Sequence, residues 1–240
     1  MYIDFKNVSS NNDVTNYTRD LDLKTAIAGV NYDKGSTHYS RENFTSYPDN
    51  VIVTHITADG SEKISLDVSV EPDNSRGSAI NGIGDSSYQR TWDTTVSDGR
   101  ISINGQLTDN QMKFSSQTQV ITDNAGTVTD GDGKVSVSGA SEVTIITSMG
   151  TDYKDEYPSY RTGETASELT NRVKWYVDQA AVKTYEELKA NHVSDYQEIF
   201  NRVDLNLGQT VSTKTTDALL SAYKAGTASE AERRQLEVML

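Results

Sequence analysis

The chain has 240 residues, a formal net charge of −13 and no cysteine. The lack of cysteine excludes disulfides and thiolate metal sites. The acidic balance argues against nucleic acid and anionic membranes as partners, because a phosphate backbone requires a basic surface. No run of about 18 apolar residues occurs, so the sequence predicts no membrane-spanning helix.

The first 163 residues alternate between β-branched stretches and turns. Residues 51–58 and 63–70 carry apolar side chains at every second position, with Asp59 and Gly60 between them. This pattern predicts a β-hairpin. Further strand patterns, each beside a turn or loop, follow at 100–103, 117–121, 134–137 and 141–147. Because no long helical pattern interrupts them, we expect antiparallel sheets.

The hydrophobic period changes after Gly163. One face of a predicted helix carries Leu169, Val173, Tyr176, Val177 and Ala180, spaced i, i+4, i+7, i+8 and i+11. Capping-box patterns predict further helix starts at Thr184, Ser194 and Ser229. A short helix containing Leu219 is predicted to end at Gly226. The sequence therefore predicts a β domain over 1–163 and a helical segment over 164–240.

The last predicted helix ends on the apolar residues Val238, Met239 and Leu240. Such side chains need a partner surface. We therefore expect a larger helical domain to follow in the parent protein and to bury them.

The residues that could carry metal chemistry are sparse. His38, His55 and His192 are far apart in sequence, so we predict structural or surface roles for them and no zinc site. The stretch 130–133, Asp-Gly-Asp-Gly, lacks the following oxygen ligands of a calcium loop and is predicted to be a tight turn. No cofactor motif is present, and we expect no cofactor.

Aromatic residues mark two places where a sugar could bind. Trp92 is the sugar-contact candidate, because a sugar can stack on an exposed indole; the alternative is a buried tryptophan. The second place combines carboxylates with tyrosines at Asp152, Tyr153, Asp155, Glu156, Tyr157 and Tyr160. A carboxylate pair is what a glycosidase requires, but Pro158 and Gly163 favour an acidic, aromatic connector between the β part and the helices.

Three motifs together carry a family resemblance. Residues 19–26 read Arg-x-Leu-Asp-Leu-x-x-Ala, and residues 41–49 read Arg-Glu-x-Phe-x-Ser-x-Pro-Asp. Residues 195–208 read Asp-Tyr-x-x-x-Phe-x-Arg-Val-x-Leu-x-Leu-Gly, with His192 just before them. In order and spacing, the chain resembles the N-terminal region of the family 95 glycoside hydrolases, the inverting α-L-fucosidases.

The resemblance implies a mainly β fold, an antiparallel super-sandwich of the galactose-mutarotase-like type, followed by a helical linker. It implies that residues 1–163 are a β-sandwich lacking its opening segment, and that 164–240 are the linker and the start of an (α/α)6 barrel. The barrel would be the partner of this chain and would bind the oligosaccharide substrate. No residue here matches the family's catalytic motifs, so we expect no catalytic residue and no activity of this segment alone.

Arg41 and Glu42 lie next to each other on a predicted strand and therefore face opposite sides of it. We interpret both as structural, one of them pairing with a neighbouring strand or facing the linker.

Other functions remain open from the sequence. The chain could be a free-standing carbohydrate-binding β-sandwich, although such a module has no use for the long helical segment. It could also be the N-terminal domain of a related α-glycosidase, an α-galactosidase or a family 65 phosphorylase. The acidic, cysteine-free composition suits an exported bacterial protein.

Overall fold

In the computed structural model, the described residues are 1–6, 14–72, 90–204 and 212–239. The chain divides into two compact units, Met1–Ile199 and Phe200–Leu240. The first unit contains all the described strands, so the predicted mainly β fold is confirmed. The predicted domain boundary after residue 163 stays a prediction.

The strands of the described residues form two antiparallel sheets. They are β1 (Tyr2–Phe5), β2 (Val14–Asp22), β3 (Ile27–Lys34), β4 (Thr37–Ser46), β5 (Val51–Asp59), β6 (Ile64–Ser69), β7 (Arg90–Ser97), β8 (Arg100–Leu107), β9 (Lys113–Thr122), β10 (Thr127–Asp130), β11 (Lys134–Ala140) and β12 (Glu142–Thr151). The large sheet has the order β2-β3-β4-β5-β12-β9-β8-β7, and the small sheet has the order β1-β6-β11-β10.

The central strands of the large sheet are buried on both faces. In β5, Ile56 belongs to the core between the two sheets, whereas Val53 belongs to a second core on the opposite face. In β12, Val143 belongs to the core between the sheets and Ile146 to the core on the opposite face. Side chains alternate across a strand, so a strand covered on both faces needs an almost unbroken run of apolar and β-branched residues.

The predicted hairpin between residues 51–58 and 63–70 is wrong. β5 pairs with β4 and β12 in the large sheet, whereas β6 pairs with β1 and β11 in the small one. Gly60 has a φ of 149° and carries the chain from one sheet to the other. The alternation of β6 arises because one of its faces lines the core between the sheets, whereas the apolar residues of β5 divide between the two cores.

A true hairpin connects β7 and β8. Its two turn residues, Asp98 and Gly99, have φ values of 55° and 69°, as a type I′ turn requires. Asp130, from the predicted 130–133 turn, accepts hydrogen bonds from the amides of both residues at 2.7 and 2.8 Å.

Two helices follow the strands in the first unit, α1 (Ala166–Ala181) and α2 (Tyr185–Phe200). The predicted start of α2 is confirmed: the Glu187 amide donates to Thr184 Oγ1 at 3.2 Å, and the Thr184 amide donates to Glu187 at 2.8 Å. The predicted start at Ser194 is wrong, because α2 continues through it. A capping sequence acts only where the chain enters a helix, and no proline or glycine interrupts α2 before Ser194.

The second unit contains α3 (Thr216–Lys224) and α4 (Glu230–Met239). Gly226 follows α3 with a φ of 69°, as a helix end requires, and Ser229 and Glu232 form the predicted cap of α4. The apolar side chains of 238–240 lie outside the described residues. Within the described ranges, no helix combines the length and hydropathy needed to cross a membrane.

Candidate functional site at the sheet and helix contact

Helices α1 and α2 pack on the face of the large sheet that is turned away from the small sheet, which we term the helix-bearing face. Eight buried apolar side chains form the core of this contact: Ile27, Phe44, Val51, Val53, Ile146, Val177, Ala180 and Leu188. Burial of each large aliphatic side chain contributes about 1.5–3 kcal/mol. This apolar core supplies the free energy that holds the helices on the sheet, and the polar contacts around it determine where α2 lies.

Glu42 is the first polar anchor. Its carboxylate projects from β4 and accepts hydrogen bonds from the Tyr185 hydroxyl and, at 2.7 Å, from Lys189 Nζ. Burial acts to raise the pKa of Glu42, but the hydrogen bonds from Lys189 and Tyr185 outweigh it and lower the pKa. Glu42 is therefore an ionised carboxylate that holds the first two turns of α2.

His55, on the neighbouring strand β5, packs beneath the same helix. Its ring stacks on Tyr185 with centroids 3.6 Å apart, and its Nδ1 lies 3.0 Å from Thr144 Oγ1. Burial lowers the pKa of His55 to about 4, so the imidazole is uncharged at neutral pH. Burial, together with Glu42, raises the pKa of Tyr185. Neither group is suited to exchange protons near neutral pH, and the stack is a packing feature.

Asp49 is the second polar anchor, in the turn between β4 and β5. It is 7% exposed and accepts hydrogen bonds from Ser46 Oγ at 2.6 Å, from Lys183 Nζ and from Asn191 Nδ2. Burial acts to raise the pKa of Asp49, but these three bonds, led by that from Lys183, lower it. One carboxylate thus fastens both the α1–α2 connection and the middle of α2 to the sheet.

The C-terminal half of α2 holds the turn between β2 and β3. His192 is buried, stacks on Phe44 at 4.8 Å and has its Nε2 2.9 Å from the Thr25 carbonyl oxygen. One turn later, the Tyr196 hydroxyl donates to the Leu23 carbonyl oxygen at 2.8 Å. The structural role of His192 is therefore to join α2 to the turn between β2 and β3.

The sequence missed most of this contact, although a signal was present. Tyr185, Lys189, His192 and Tyr196 follow i, i+4, i+7 and i+11 spacing, which is the spacing of one helix face. A search for apolar residues at helical spacing does not detect a helix face that consists of tyrosine, lysine and histidine. The prediction that Arg41 or Glu42 faces the linker identified the correct strand, and Glu42 is the residue that contacts the predicted helical segment, at Tyr185 and Lys189 of α2.

Arg41 occupies the other side of β4. It is two residues from Tyr39, which lies in the core between the sheets, so strand alternation places both side chains on that face. Its Nε is buried and has no hydrogen-bond partner in the part of the chain that the structure describes.

Trp92 is half-buried on β7, where it packs against the core between the sheets. Its predicted contact with sugar stays a prediction.

A polar groove of about 480 Å³ runs between α1 and the helix-bearing face of β7, β8 and β9. Arg100 lines it and is paired with Gln119 Oε1 at 2.8 Å and Asp178 Oδ1 at 2.7 Å. Ser102 donates to Gln117 Oε1 at 2.8 Å. These lining groups already bond with one another.

Comparison with protein families is decisive for the β domain. The family model described as glycosyl hydrolase family 65, N-terminal domain, matches residues 1–156. The chain belongs to this family. A second model, described as glycosyl hydrolase family 95 catalytic domain, matches residues 184–240. The match to the family 65 N-terminal domain thus ends just after β12, and the catalytic-domain match begins at Thr184, the cap of α2.

Two curated relatives of this chain are named as fucosidases. It is 28% identical over 218 residues to alpha-L-fucosidase 2 of Arabidopsis thaliana, covering 85% of this chain and 25% of that protein. It is 28% identical over 220 residues to "Probable alpha-fucosidase A" of Aspergillus niger, covering 88% and 26%. The chain therefore spans about a quarter of the length of these relatives, and the predicted resemblance to the family 95 fucosidases is confirmed.

The fold also resembles a solved structure. A protein described as a kojibiose phosphorylase from human microbiome superposes with a TM-score of 0.56 at 10% identity, covering 78% of this chain and 25% of that one. At this identity the likeness shows the fold alone, a β-sandwich like that of glycosyl hydrolase and phosphorylase N-terminal domains.

Proposed function

We propose that this chain is the non-catalytic N-terminal part of a glycoside hydrolase that acts on α-L-fucosides, and that its sheet holds the start of the catalytic domain. One observation carries the proposal. The catalytic-domain match begins at Thr184, and the residues that follow contact the sheet at Glu42, Asp49 and the β2–β3 turn. The fucosidase names of both relatives support the choice of substrate.

In this proposal residues 1–163 form the scaffold, 164–183 act as the linker, and the residues after Thr184 begin the catalytic part. The acid and base required for inverting hydrolysis come from the remainder of the catalytic domain. The partner of the helix-bearing face is therefore the catalytic domain of the same protein, and the oligosaccharide binds mainly to that domain.

The proposal is tested by expressing this chain and the complete product of its gene, and measuring release of L-fucose from 2′-fucosyllactose. We expect release by the complete product and none by the 240 residues alone. Turnover by the isolated chain, or no turnover of α-L-fucosides by the complete product, would overturn the proposal.

The positioning role has its own test in the complete product. Glu42→Gln is expected to lower kcat by about tenfold, because small displacements of reacting groups are costly in rate. The control is Asp93→Asn, which changes an exposed carboxylate on the edge strand β7 and is expected to leave kcat unchanged. Equal activity of both variants would contradict a positioning role for Glu42.

A second candidate is a family 65 phosphorylase, which the match of residues 1–156 favours. Inorganic phosphate distinguishes the two reactions. A hydrolase releases free sugar without phosphate, whereas a phosphorylase requires phosphate and forms a sugar phosphate. Phosphate-dependent product formation by the complete product would select the second candidate.

A further inference from the structure

Between β12 and α1, residues 152–163 present three large aromatic side chains to solvent; we term this stretch the tyrosine loop. Tyr153 is 51% exposed, Tyr157 is 85% exposed and Tyr160 is 42% exposed. Exposed aromatic groups that cluster on a surface mark binding sites more often than single exposed apolar residues do. The cluster serves neither the core between the sheets nor the contact with α2.

The base of the loop is fixed by a buried carboxylate. Asp152 is 2% exposed and accepts hydrogen bonds from the Lys113 amide at 2.9 Å and from Lys113 Nζ at 3.0 Å. The Thr162 amide donates to the Asp152 carbonyl oxygen at 2.7 Å, and Tyr153 forms an antiparallel bridge with Arg161. The tyrosines therefore project from a closed, anchored loop, which lowers the entropy cost of binding a ligand.

The tip of the loop is held in a specific conformation. The Tyr160 amide donates to the Glu156 carbonyl oxygen at 2.9 Å, and Tyr160 has a φ of 51°, in the left-handed region. This region is unfavourable for a bulky residue, and such strain is commonest at functional sites. The conformation leaves the Tyr157 and Tyr160 rings in an edge contact, with centroids 6.4 Å apart.

Two carboxylate residues, Asp155 and Glu156, directly precede Tyr157 in the loop. Glu156 is exposed and pairs with Lys154 at 2.8 Å, and Asp155 is exposed next to it. A pyranose ring presents C–H groups on its faces and hydroxyl groups around its rim, so aromatic faces with adjacent carboxylate acceptors match its chemistry. The chain's net charge of −13 repels anionic ligands. The expected ligand is therefore a neutral oligosaccharide.

The polar groove beside α1 suits a sugar less well. Its arginine, glutamine and aspartate side chains bond with one another, and none of the described residues that line it is aromatic. A ligand there would have to break existing hydrogen bonds without gaining an apolar contact.

We propose that the tyrosine loop is a sugar-binding site for neutral, pyranose-containing oligosaccharides, outside the catalytic part of the protein. The proposal rests on the proposed function only for the choice of a fucosylated glycan as the first probe. Tyr157 and Tyr160 supply the stacking faces, and Asp155 and Glu156 accept hydrogen bonds from the hydroxyl groups.

The test titrates the 240-residue chain with 2′-fucosyllactose and with lactose, and follows binding by saturation-transfer NMR and calorimetry. Tyr157→Ala is expected to weaken binding by about tenfold, since a lost aromatic contact of about 1.4 kcal/mol changes affinity by that factor. Tyr160→Asn is expected to act similarly, because asparagine tolerates the left-handed conformation and the loop should still form. The matched control is Tyr47→Ala, since Tyr47 is 84% exposed in the β4–β5 turn.

Each outcome decides the proposal. Weaker binding in both loop variants and unchanged binding in the control supports it. No binding of either sugar by the unmodified chain overturns it, as does an equal loss of binding in the control. Trp92→Ala is measured as well, and a loss of binding in that variant alone also overturns the proposal. L-fucose release by the complete gene product is a separate readout. If the complete gene product releases L-fucose but the 240-residue chain binds neither sugar, only the loop site is refuted. If the chain binds the sugars but the complete gene product releases no L-fucose, only the proposed function is refuted.

Discussion

Lowering the pH from 7 to 5 is expected to destabilise the unit Met1–Ile199 through one side chain, His55. Burial lowers the pKa of His55 to about 4 in the folded protein, against an ordinary value of 6.5. Between these two values the unfolded chain binds more protons than the folded one. The free energy of unfolding therefore falls as the pH falls through this window, and below the folded pKa the contribution of His55 no longer changes.

The magnitude follows from the two pKa values. At about 1.4 kcal/mol per pKa unit, the difference amounts to roughly 3 kcal/mol in total. About 2 kcal/mol of this is expected to be lost by pH 5. The charged groups that face the imidazole are Glu42, Lys189 and Glu142, and Glu142 Oε1 lies 3.9 Å from His55 Nε2. Glu42 opposes the shift, but burial and the positive charge of Lys189 outweigh it.

The assay is urea unfolding followed by tryptophan fluorescence at pH 7, 6 and 5. The chain has two tryptophans, Trp92 and Trp175, and both lie in this unit. His55→Gln keeps a neutral hydrogen-bonding group and is expected to remove most of the pH dependence in this range. The exposed His38 provides the control variant, His38→Gln. Equal pH dependence in the unmodified chain and in His55→Gln would refute the reasoning.

The remaining predictions concern the free energy of unfolding of the same unit at pH 7, measured by urea denaturation. Asp49→Asn is expected to lower it by about 2–3 kcal/mol, because the charged partner of Lys183 is lost from a buried site; Glu156→Gln, at an exposed pair, should change it by less than about 0.5 kcal/mol. Leu188→Ala is expected to cost about 3 kcal/mol, since it opens a cavity under α2. Thr165 caps α1 by accepting a hydrogen bond from the Glu168 amide, and Thr165→Ala should cost about 1 kcal/mol. Losses below about 0.5 kcal/mol in Asp49→Asn, Leu188→Ala and Thr165→Ala would contradict the roles given to these residues.

Local patterns were sufficient to predict most of the individual elements. The alternation of 51–58 corresponds to β5, and the capping pair Thr184 and Glu187 marks the start of α2. Both patterns are set by residues within one strand or one helical turn. Ser194 shows the limit, because a capping pattern cannot reveal that the chain is already helical before it.

Strand pairing was harder to predict because it depends on residues far apart. Asp98–Gly99 and Asp59–Gly60 are the same dipeptide, yet only the first forms a hairpin. Two residues separate β7 from β8, whereas four separate β5 from β6. The tight spacing permits a type I′ turn, and the longer one allows the chain to cross between sheets.

The site was least predictable for the same physical reason. Glu42 meets Tyr185 across 143 residues of sequence, and His192 meets Thr25 across 167. Sequence reasoning placed Glu42 on a strand and His192 near a helix, but which of these elements touch is determined by tertiary packing.

The combination of an apolar core and charged anchors explains how α2 is held in a single position. Leu188 and its apolar neighbours stabilise any arrangement that covers the sheet, because the hydrophobic effect is not directional. Glu42 and Asp49 are more selective. A shift of α2 by one turn, about 5.4 Å, would prevent Glu42 from bonding Tyr185 and Lys189 at the same time and would separate Asp49 from Asn191. Both carboxylates would then lose partners, and for the buried Asp49 the loss would cost several kcal/mol. The charges therefore determine the register of the helix in which the catalytic-domain match begins.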